Sequence, residues 1–230
     1  MKEQRVEAVE RALSILESFG EDRQRMTLAQ LAGETGLYKS TILRLSASLE
    51  RFGYLSRDES GLYRLGPSVW RLGSIYRRSF DLGERIRPEL RFLVEATGET
   101  ASFYIREASE RVCLYRENSR HPIRHHLDEG SRLPLDRGAA AHVLRAYSAG
   151  DGVGEDEADR ARVRRAGYYL SVGERSPDVS AVAVPLLGSD GRLRGALAVS
   201  GLTSRFGAPE RSRSVTLLKE VSARLSRLLA

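Results

Sequence analysis

A polar cluster stands at the start of one predicted helix, directly after the turn-forming Gly36, and consists of Lys39, Ser40, Thr41 and Arg44. The same helix carries an apolar stripe that predicts its buried face, formed by Ile42, Leu45, Leu49 and Phe52. Ammonium, guanidinium and hydroxyl groups on the free face can reach phosphates and base edges, because the DNA major groove admits an α-helix. The pattern therefore predicts a recognition helix, and a solvated surface with ordinary charges is the alternative for any single residue.

The segment before this helix predicts the elements that position it. Thr27 followed by Gln30 has the spacing of a capping box, so a helix is expected to begin at Thr27 and to end at Gly36. An earlier amphipathic helix is predicted from apolar residues at helical spacing, namely Val6, Val9, Leu13 and Leu16. Together these segments predict a helix-turn-helix.

A basic hairpin is expected after the recognition helix. Residues 54–57 and 62–65 read as short strands around a turn at 58–61, with Arg57 and Arg64 on either side. Such a hairpin would place both arginines against the DNA backbone or minor groove. The order of elements predicts a winged helix-turn-helix domain over residues 1–66.

A linking helix is expected over residues 67–82, because Pro67 suits the first turn of a helix. Its apolar residues Trp70, Leu72 and Ile75 exceed what a lone exposed helix displays. We expect them to pack against the DNA-binding domain or a second subunit.

Charge and composition agree with an anionic partner. The 230 residues carry a net charge of +6, of which residues 36–80 contribute +5 (eight Lys/Arg against three Asp/Glu). No apolar run approaches the roughly 18 residues of a membrane span, and the N-terminus lacks the apolar core of a signal peptide. One cysteine allows no internal disulfide, so a cytoplasmic location is expected.

The sequence shows no group of residues typical of a catalytic or cofactor-binding site. The sequence has neither a glycine-rich phosphate loop nor a G-x-S-x-G nucleophile motif, so we predict no cofactor and no catalytic residues. His121, His125 and His126 raise the question of a metal site, but neighbouring histidines in a strand would face opposite sides. We therefore predict no metal and expect Cys113 to be a core residue.

Residues 83–230 predict a mixed helical and stranded domain, so the fold class is α+β. Helices are expected over 82–97, 138–147, 156–166 and 209–229, with the last one presenting Val215, Leu218, Val221, Leu225 and Leu228. Strands are expected over 100–106 and 111–116, and two more around the Ser189-Asp190-Gly191 turn.

Segments along almost the whole chain resemble the IclR family of bacterial transcriptional regulators. "VERALSILESF", "MTLAQLAGETGLYKSTILRLSASLERFGYLSRD" and "YRLGPSVWRLG" are similar to its DNA-binding domain. "LVEATGETASFYIRE", "EGSRLPLDRGAAAHVLRA", "GYYLSVGE" and "AVAVPLLGSDGRLRGALAVSG" are similar to its effector-binding domain. The resemblance implies a C-terminal GAF/PAS-like domain with an antiparallel sheet, a small organic-acid or aromatic effector, and a homodimer or tetramer.

The resemblance also implies site residues. DNA contacts are expected from Thr27, Tyr38, Lys39, Ser40, Thr41, Arg44, Arg57 and Arg64, with Tyr38 standing where the family commonly has proline. Effector contacts are expected from Gly130, Leu133, Gly138, Ala139, Ser180, Ala181 and Ser200. The chain has Asp136, Gly138, Ala141 and His142 where His, Thr, Gly and Lys are common in the family. We expect Asp136 to disfavour an anion nearby.

We therefore predict a ligand-responsive regulator that binds a pseudo-palindromic DNA operator as a dimer and is modulated by a small metabolite. Two alternatives stay open. One is a constitutive DNA-binding regulator with a degenerate ligand domain, and the other is a small-molecule enzyme with a helix-turn-helix partner module. The sequence names neither the effector nor the operator, and it does not distinguish repression from activation.

Overall fold

The computed structural model describes residues 5–20, 22–79, 82–148 and 157–229. The chain divides into two compact units, Met1–Ser79 and Phe80–Ala230. Residues 80 and 81, at the predicted end of the linking helix, and residue 156, at the predicted start of another helix, lie outside the described residues. The three-part division at residues 66 and 82 stays a prediction.

The first unit has the predicted order of three helices, a hairpin and a further helix. Its elements are α1 (Glu7–Glu17), α2 (Leu28–Thr35), α3 (Lys39–Arg51), β1 (Leu55–Arg57), β2 (Tyr63–Leu65) and α4 (Pro67–Ser79). The capping box at the start of α2 is formed, since the Thr27 hydroxyl accepts from the Gln30 backbone N–H and the Gln30 side-chain Oε1 accepts from the Thr27 backbone N–H. Gly36 ends α2 with a φ of 67°, a left-handed conformation that suits glycine.

The core of the first unit contains Ile15, Met26, Leu31, Ile42, Leu55 and Tyr63. Two predictions about its helices were wrong. On α1, Val6, Val9 and Leu13 are each more than half exposed, because only the C-terminal part of this helix packs, through the buried Ile15. Phe52 is 68% exposed, because α3 ends at Arg51 and the chain leaves the helical stripe there.

Helix α4 keeps its large apolar side chains at the surface of the unit. Trp70 is 72% exposed, and Leu72 and Ile75 are also exposed. One of the two expectations was that they pack against the DNA-binding domain. They are not part of its core. Packing against a second subunit stays a prediction.

The second unit is built on one antiparallel sheet of six strands in the order β5-β4-β3-β8-β7-β6. The strands are β3 (Thr100–Glu107), β4 (Glu110–Glu117), β5 (Arg132–Pro134), β6 (Tyr169–Val172), β7 (Val179–Leu187) and β8 (Leu193–Leu202). The helices are α5 (Gly83–Thr97), α6 (Ala139–Tyr147), α7 (Glu157–Ala166) and α8 (Ala208–Leu228). The predicted α+β class is confirmed, whereas β6 was missed because four residues carry little periodicity.

Each face of the sheet has its own core. Helices α5 and α8 cover one face, where residues such as Phe103, Leu197 and Leu218 are buried. Helices α6 and α7 belong to the other face, which buries small residues such as Ala183, Ala196 and Ala198. On α8, Leu218, Val221 and Leu225 are buried as predicted, while Leu228 is exposed.

A β-bulge interrupts the alternation of β4. Phe103 pairs with Tyr115 but the next residue, Tyr104, pairs with Cys113, so that Leu114 is an extra residue in β4. Leu114 and Tyr115 consequently belong to the same core, although they are neighbours in a strand. Every residue of β4 beyond the bulge therefore lies on the face opposite to the one that simple alternation assigns to it.

Candidate nucleic-acid interface and effector cavity

The N-terminus of α3 is exposed and has no side-chain cap. Tyr38 is the N-cap residue, is 85% exposed and makes no capping hydrogen bond. The first amides of a helix have no intrahelical acceptor, so an anion can bind to them, and the helix dipole favours it. The following Lys39 and Ser40 are exposed as well. This helix start is suited to a phosphate group.

The cationic side chains of α3 and the hairpin form what we call the surface cluster, which consists of Lys39, Arg44, Arg57 and Arg64. Within the described residues neither Lys39 nor Arg44 has an ion-pair partner. Arg57 donates from Nε to the Gly61 carbonyl at 3.1 Å and lies over the Tyr63 ring. Arg64 donates from Nε to the Ser56 hydroxyl at 3.0 Å. None of these acceptors is charged, so the positive charge of the cluster is not neutralised by them.

Thr27 and Thr41 differ from the rest of the predicted DNA-contacting set. The Thr27 hydroxyl is engaged in the capping box of α2, where it also contacts Gln30 Oε1 at 3.0 Å. Thr41 is half-buried. The structure thus gives Thr27 a local structural role, and its contact with DNA stays a prediction.

The second unit contains a cavity between the α6 face of the sheet and the loops at its edge. The volume open to the centres of water molecules is about 60 Å³. Its lining includes three arginines, one histidine, one tyrosine and several small residues: Tyr104, Arg111, Arg116, His125, Gly138, Ala139, Ala140, Ser171, Arg175, Ser176, Val179, Ala181, Ala198 and Ser200. We call Arg111, Arg116 and Arg175 the cavity arginines.

Arg111 is a buried cation without a carboxylate partner among the described residues. It is 4% exposed, its Nη1 donates to the Arg137 carbonyl at 2.8 Å, and its Nε has no hydrogen-bond partner there. Burial lowers the pKa of the Arg111 guanidinium, but arginine remains protonated at neutral pH. A buried charge of this kind is costly unless an anion compensates it.

Arg116 reaches the same cavity because of the bulge in β4. It is 7% exposed, and its guanidinium donates to the Ser102 hydroxyl (3.1 Å), the His125 carbonyl (2.7 Å) and the Asn118 side-chain oxygen (3.0 Å). Arg116 follows Arg111 by five positions, and regular alternation would place them on opposite faces. The extra Leu114 brings both to the face of Tyr104.

Arg175 and His125 meet at the loop side of the cavity, although 50 positions separate them in sequence. Arg175 Nη2 contacts His125 Nε2, and because a guanidinium only donates, this nitrogen is the unprotonated one of a neutral imidazole. Burial, followed by the charges of Arg175 and Arg116, lowers the pKa of His125 from 6.5 to about 4. His125 is therefore neutral at pH 7.

The N-terminus of α6 is closed by the protein itself. Glu174 Oε2 accepts from the Gly138 amide at 2.9 Å, and the Ser171 hydroxyl accepts from the Ala139 amide at 3.2 Å. Gly138 has a φ of 92°, and a Cβ there would lie 3.3 Å from Arg111 Nη2. Gly138 and Ala139 thus give the cavity space, while the arginines provide its hydrogen-bond donors.

Family models match both units of the chain. The model of the IclR helix-turn-helix domain matches residues 8–59, and the model of the bacterial transcriptional regulator IclR C-terminal domain matches residues 157–227. Together they cover more than half of the chain. The chain belongs to the IclR family. It is therefore a transcriptional regulator with a DNA-binding domain and an effector domain, and not an enzyme.

Known IclR-family proteins are similar along the full length. The HTH-type transcriptional regulator XynR of Escherichia coli (strain K12) is 28% identical, with 97% of each chain covered. The crystal structure of an IclR transcriptional regulator from Alicyclobacillus acidocaldarius has a TM-score of 0.78 at 27% identity, covering 96% of this chain and 98% of that one. An IclR homologue from Microbacterium hydrocarbonoxydans, crystallised with 4-hydroxybenzoate, has a TM-score of 0.80 at 22% identity, covering 95% and 97%.

Four of the seven effector residues expected from the IclR resemblance line the cavity, namely Gly138, Ala139, Ala181 and Ser200. The other three do not. Ser180 neighbours Ala181 in β7 and so faces the opposite side of the sheet, where its hydroxyl contacts Thr203. Leu133 packs at the margin of the α6 core, and Gly130 occupies an exposed turn with a φ of 90°.

The expectation that Asp136 disfavours an anion nearby stays a prediction. Asp136 does not line the cavity, and its carboxylate pairs with Arg137 at 2.8 Å on the surface. This hydrogen bond from Arg137 lowers the pKa of Asp136. His142, another departure from the family pattern, stacks on Tyr169 and lies 3.3 Å from Glu174. Neither residue lines the cavity.

The sequence analysis did not single out the cavity arginines, His125 or Tyr104, all of which line the cavity. Arg111 and Arg116 stand in "ERVCLYRE", where two arginines flank an apolar strand segment. This pattern could have indicated buried cations from the sequence alone. Cys113 between them is buried as predicted, and burial raises the pKa of its thiol to about 11.

The expectations about a metal site and about a membrane span can be compared with the described residues only. In the described ranges, no three side chains of His, Cys, Asp or Glu come together as a metal site. The segment with the three histidines is not a strand, so the reason given for separating them did not apply. Among the described helices, none combines the length and apolar character needed to cross a membrane.

Proposed function

We propose that this protein is a ligand-responsive transcriptional regulator that binds a pseudo-palindromic operator as a dimer, with a small organic acid modulating its DNA affinity. The observation that carries the ligand-responsive part is the buried Arg111 guanidinium, which faces a cavity and has no carboxylate partner among the described residues. Such a group is compensated when an acid binds.

The DNA-binding part places α3 in the major groove. Lys39, Ser40 and the uncapped amides of α3 would hold phosphates, while Arg44, one turn further, would reach a base edge. Arg57 and Arg64 on the hairpin would contact the backbone beside that groove. Tyr38, 85% exposed at the start of the helix, adds a phenol at the same surface.

The dimer is supported by apolar residues that are exposed at the surface of the first unit. Val6, Val9 and Leu13 form an exposed stripe on α1, and Trp70 is exposed on α4. Large exposed apolar surfaces are typical of protein interfaces. A two-fold dimer would present one α3 to each half of a pseudo-palindromic site.

Regulation requires that the acid binds the DNA-competent and DNA-incompetent states with different affinities. The cavity is suited to an acid because its lining contains three arginines and no carboxylate. 4-Hydroxybenzoate, the ligand crystallised with the M. hydrocarbonoxydans homologue, is a first probe for this chain. The alternative of a degenerate ligand domain was motivated by the altered segment "PLDRGAAAH", in which Gly138 lines the cavity while Asp136, Ala141 and His142 do not.

The test begins by selecting DNA sites from random duplexes with the full chain. We expect a two-fold symmetric consensus with half-sites about one helical turn apart. A panel of organic acids that includes 4-hydroxybenzoate is then added, and the operator Kd and the melting temperature are measured. At least one acid should raise the melting temperature and change the operator Kd by about fivefold or more. An asymmetric consensus would contradict the dimer. If no acid that binds changes the operator Kd, the regulatory role is contradicted.

A further inference from the structure

The charge balance of the cavity is positive by about two. The three cavity arginines contribute three positive charges, of which Arg111 and Arg116 are buried and Arg175 is exposed, and His125 is neutral. One carboxylate, Glu174, borders the cavity through its hydrogen bond to the Gly138 amide.

Other nearby carboxylates are engaged with cations outside the lining. Glu129 accepts from the Arg116 amide but pairs with Arg87 at 2.7 Å, and Asp136 pairs with Arg137. These pairs leave the net charge of the cavity unchanged. Two positive charges therefore remain for a ligand to compensate.

From this balance we infer that the effector is a small dianion, such as a short dicarboxylate, rather than a monocarboxylate or an aromatic monoacid. The inference rests on the proposed function and specifies the ligand class for the same cavity. One acid group binds Arg111 beside the start of α6, and the other binds at the Arg116 and Arg175 end.

The placement of the arginines supports two separate acid subsites. Arg111 pairs with Arg106 and Arg116 with Ser102, and these four steps along β3 correspond to roughly 13 Å, so the two side chains enter the cavity from different ends. Arg111 lies near the Tyr104 ring, with 5.8 Å from its Cζ to the ring centroid. Arg116 instead bonds to Ser102 and to the His125 carbonyl. A single carboxylate would leave one of these ends with an uncompensated buried cation, which is costly.

The size of the cavity supports a short molecule. The cavity volume of about 60 Å³ holds roughly four to six water molecules, because each needs about 10–15 Å³ of the volume open to water centres. This room suits an acid of about three to five carbon atoms. Carboxylates bind arginine through paired hydrogen bonds, so a short chain with two acid ends uses both its charge and its length.

Matched pairs of acids test the inference on the full chain. Propionate is compared with malonate, butyrate with succinate, and pentanoate with glutarate, by titration calorimetry at pH 7.5 and constant ionic strength. We expect the dicarboxylate of at least one pair to bind at least tenfold more tightly than its partner. Equal affinities within every pair, or no binding of any of the six acids, would overturn the inference.

A variant identifies the cavity as the source of the preference. Arg175→Gln removes one cation without removing bulk and should reduce the dicarboxylate advantage to less than threefold. Arg192→Gln is the matched control, because Arg192 is an exposed arginine of the β7–β8 turn, and it should leave the advantage intact. If Arg175→Gln does not fold, as judged by its thermal unfolding, Arg116→Gln is used in its place. An undiminished advantage in the folded variant would overturn the assignment to this cavity.

Measuring operator affinity in the presence of the same acids separates the test of the ligand class from the test of the regulatory function. If 4-hydroxybenzoate or another monoacid binds and changes operator affinity while the dicarboxylates do not, the dianion inference fails and the proposed function stands. If a dicarboxylate binds tightly but leaves operator affinity unchanged, the ligand class stands and the regulatory function fails.

Discussion

The surface cluster and the cavity arginines are two groups of positive charge that differ in burial. The surface cluster is hydrated, so holding it costs the folded protein little, and in the proposed complex it faces an extended polyanion. Two of the cavity arginines, Arg111 and Arg116, are buried, so they reduce stability until a small anion compensates them, whereas Arg175 is exposed. Similar residues would thus provide a salt-sensitive contact in one unit and a selective, partly shielded one in the other.

Salt concentration is expected to give the largest difference between the two groups. Three cations of the surface cluster in each protomer, Lys39, Arg57 and Arg64, give up to six phosphate contacts in a dimer, so operator affinity should fall by roughly 10³ between 50 and 200 mM salt. Succinate affinity should fall by less than about tenfold, because buried charges are screened less. Fluorescence anisotropy with labelled operator and calorimetry with succinate measure the two slopes. Equal salt dependences of operator affinity and succinate affinity would contradict the proposed difference between the surface cluster and the cavity arginines.

Replacing Arg111 by Met should weaken succinate binding by about 100-fold, since one subsite loses its cation. The same change should leave stability unchanged or raise it by about 1 kcal/mol, because a buried charge is replaced by an apolar group of similar length. Calorimetry and urea unfolding measure the two effects. Arg192→Met, at the exposed β7–β8 turn, is the control for both. A strong loss of stability in Arg111→Met would show that the cation has an internal partner.

Replacing Arg44 by Ala should weaken specific operator binding by about 1–3 kcal/mol and relax the preference at one base position. Stability should change little, because the side chain is exposed and has no ion-pair partner among the described residues. Arg71→Ala, on exposed α4, is the control. The readout is the Kd for the selected operator and for single-base variants of it. An unchanged affinity together with an unchanged base preference would remove Arg44 from the interface.

His125 is expected to make stability depend on pH in the second unit. Its pKa is lowered to about 4 by burial and by Arg175 and Arg116, with a smaller effect of His126, whereas the unfolded value is about 6.5. As the pH falls from 6.5 towards 4 the unfolded chain takes up the proton first, so stability is lost in this window. Because His125 is half exposed, we expect a loss of about 1 kcal/mol.

Urea unfolding at pH 7 and pH 5 measures this loss. His125→Gln should reduce it, whereas Lys39→Ala in the surface cluster should leave it unchanged. Equal losses in wild type and His125→Gln would assign the pH dependence to other groups.

The smallest effect is expected at Thr27. Thr27→Ala removes the hydroxyl of the capping box and should destabilise the first unit by about 1 kcal/mol, while Thr27→Ser should retain the cap. Thermal unfolding measures the stability, and operator binding is measured below the transition. A loss of affinity in Thr27→Ala with unchanged stability would indicate that the hydroxyl contacts DNA instead.

Local signals predicted the first unit well. The Thr27–Gln30 capping box and Gly36 depend on residues a few positions apart, so the bounds of α2 followed from the sequence. Burial depends on partners elsewhere in the chain, which is why the exposed Val6 and the exposed Phe52 were misjudged. The alternation of Ser180 and Ala181 was visible in the sequence, and it excluded one of the two from the cavity.

The cavity arginines were harder to predict because their grouping depends on tertiary structure. Arg175 meets His125 across 50 positions, and no periodicity connects them. Arg116 shares a face with Arg111 only through the bulge. A register shift of one residue reverses the face of a side chain, and the position of a bulge depends on the partner strand.

The extra Leu114 has a consequence for how sensing domains of this kind diverge. Gaining or losing a single codon in β4 exchanges the faces of the residues beyond it, so the Arg116 guanidinium enters or leaves the cavity without being substituted. Descendants of one ancestral gene can thus come to sense acids of different charge through one in-frame insertion or deletion. An alignment scored only for substitutions would count that arginine as retained in both.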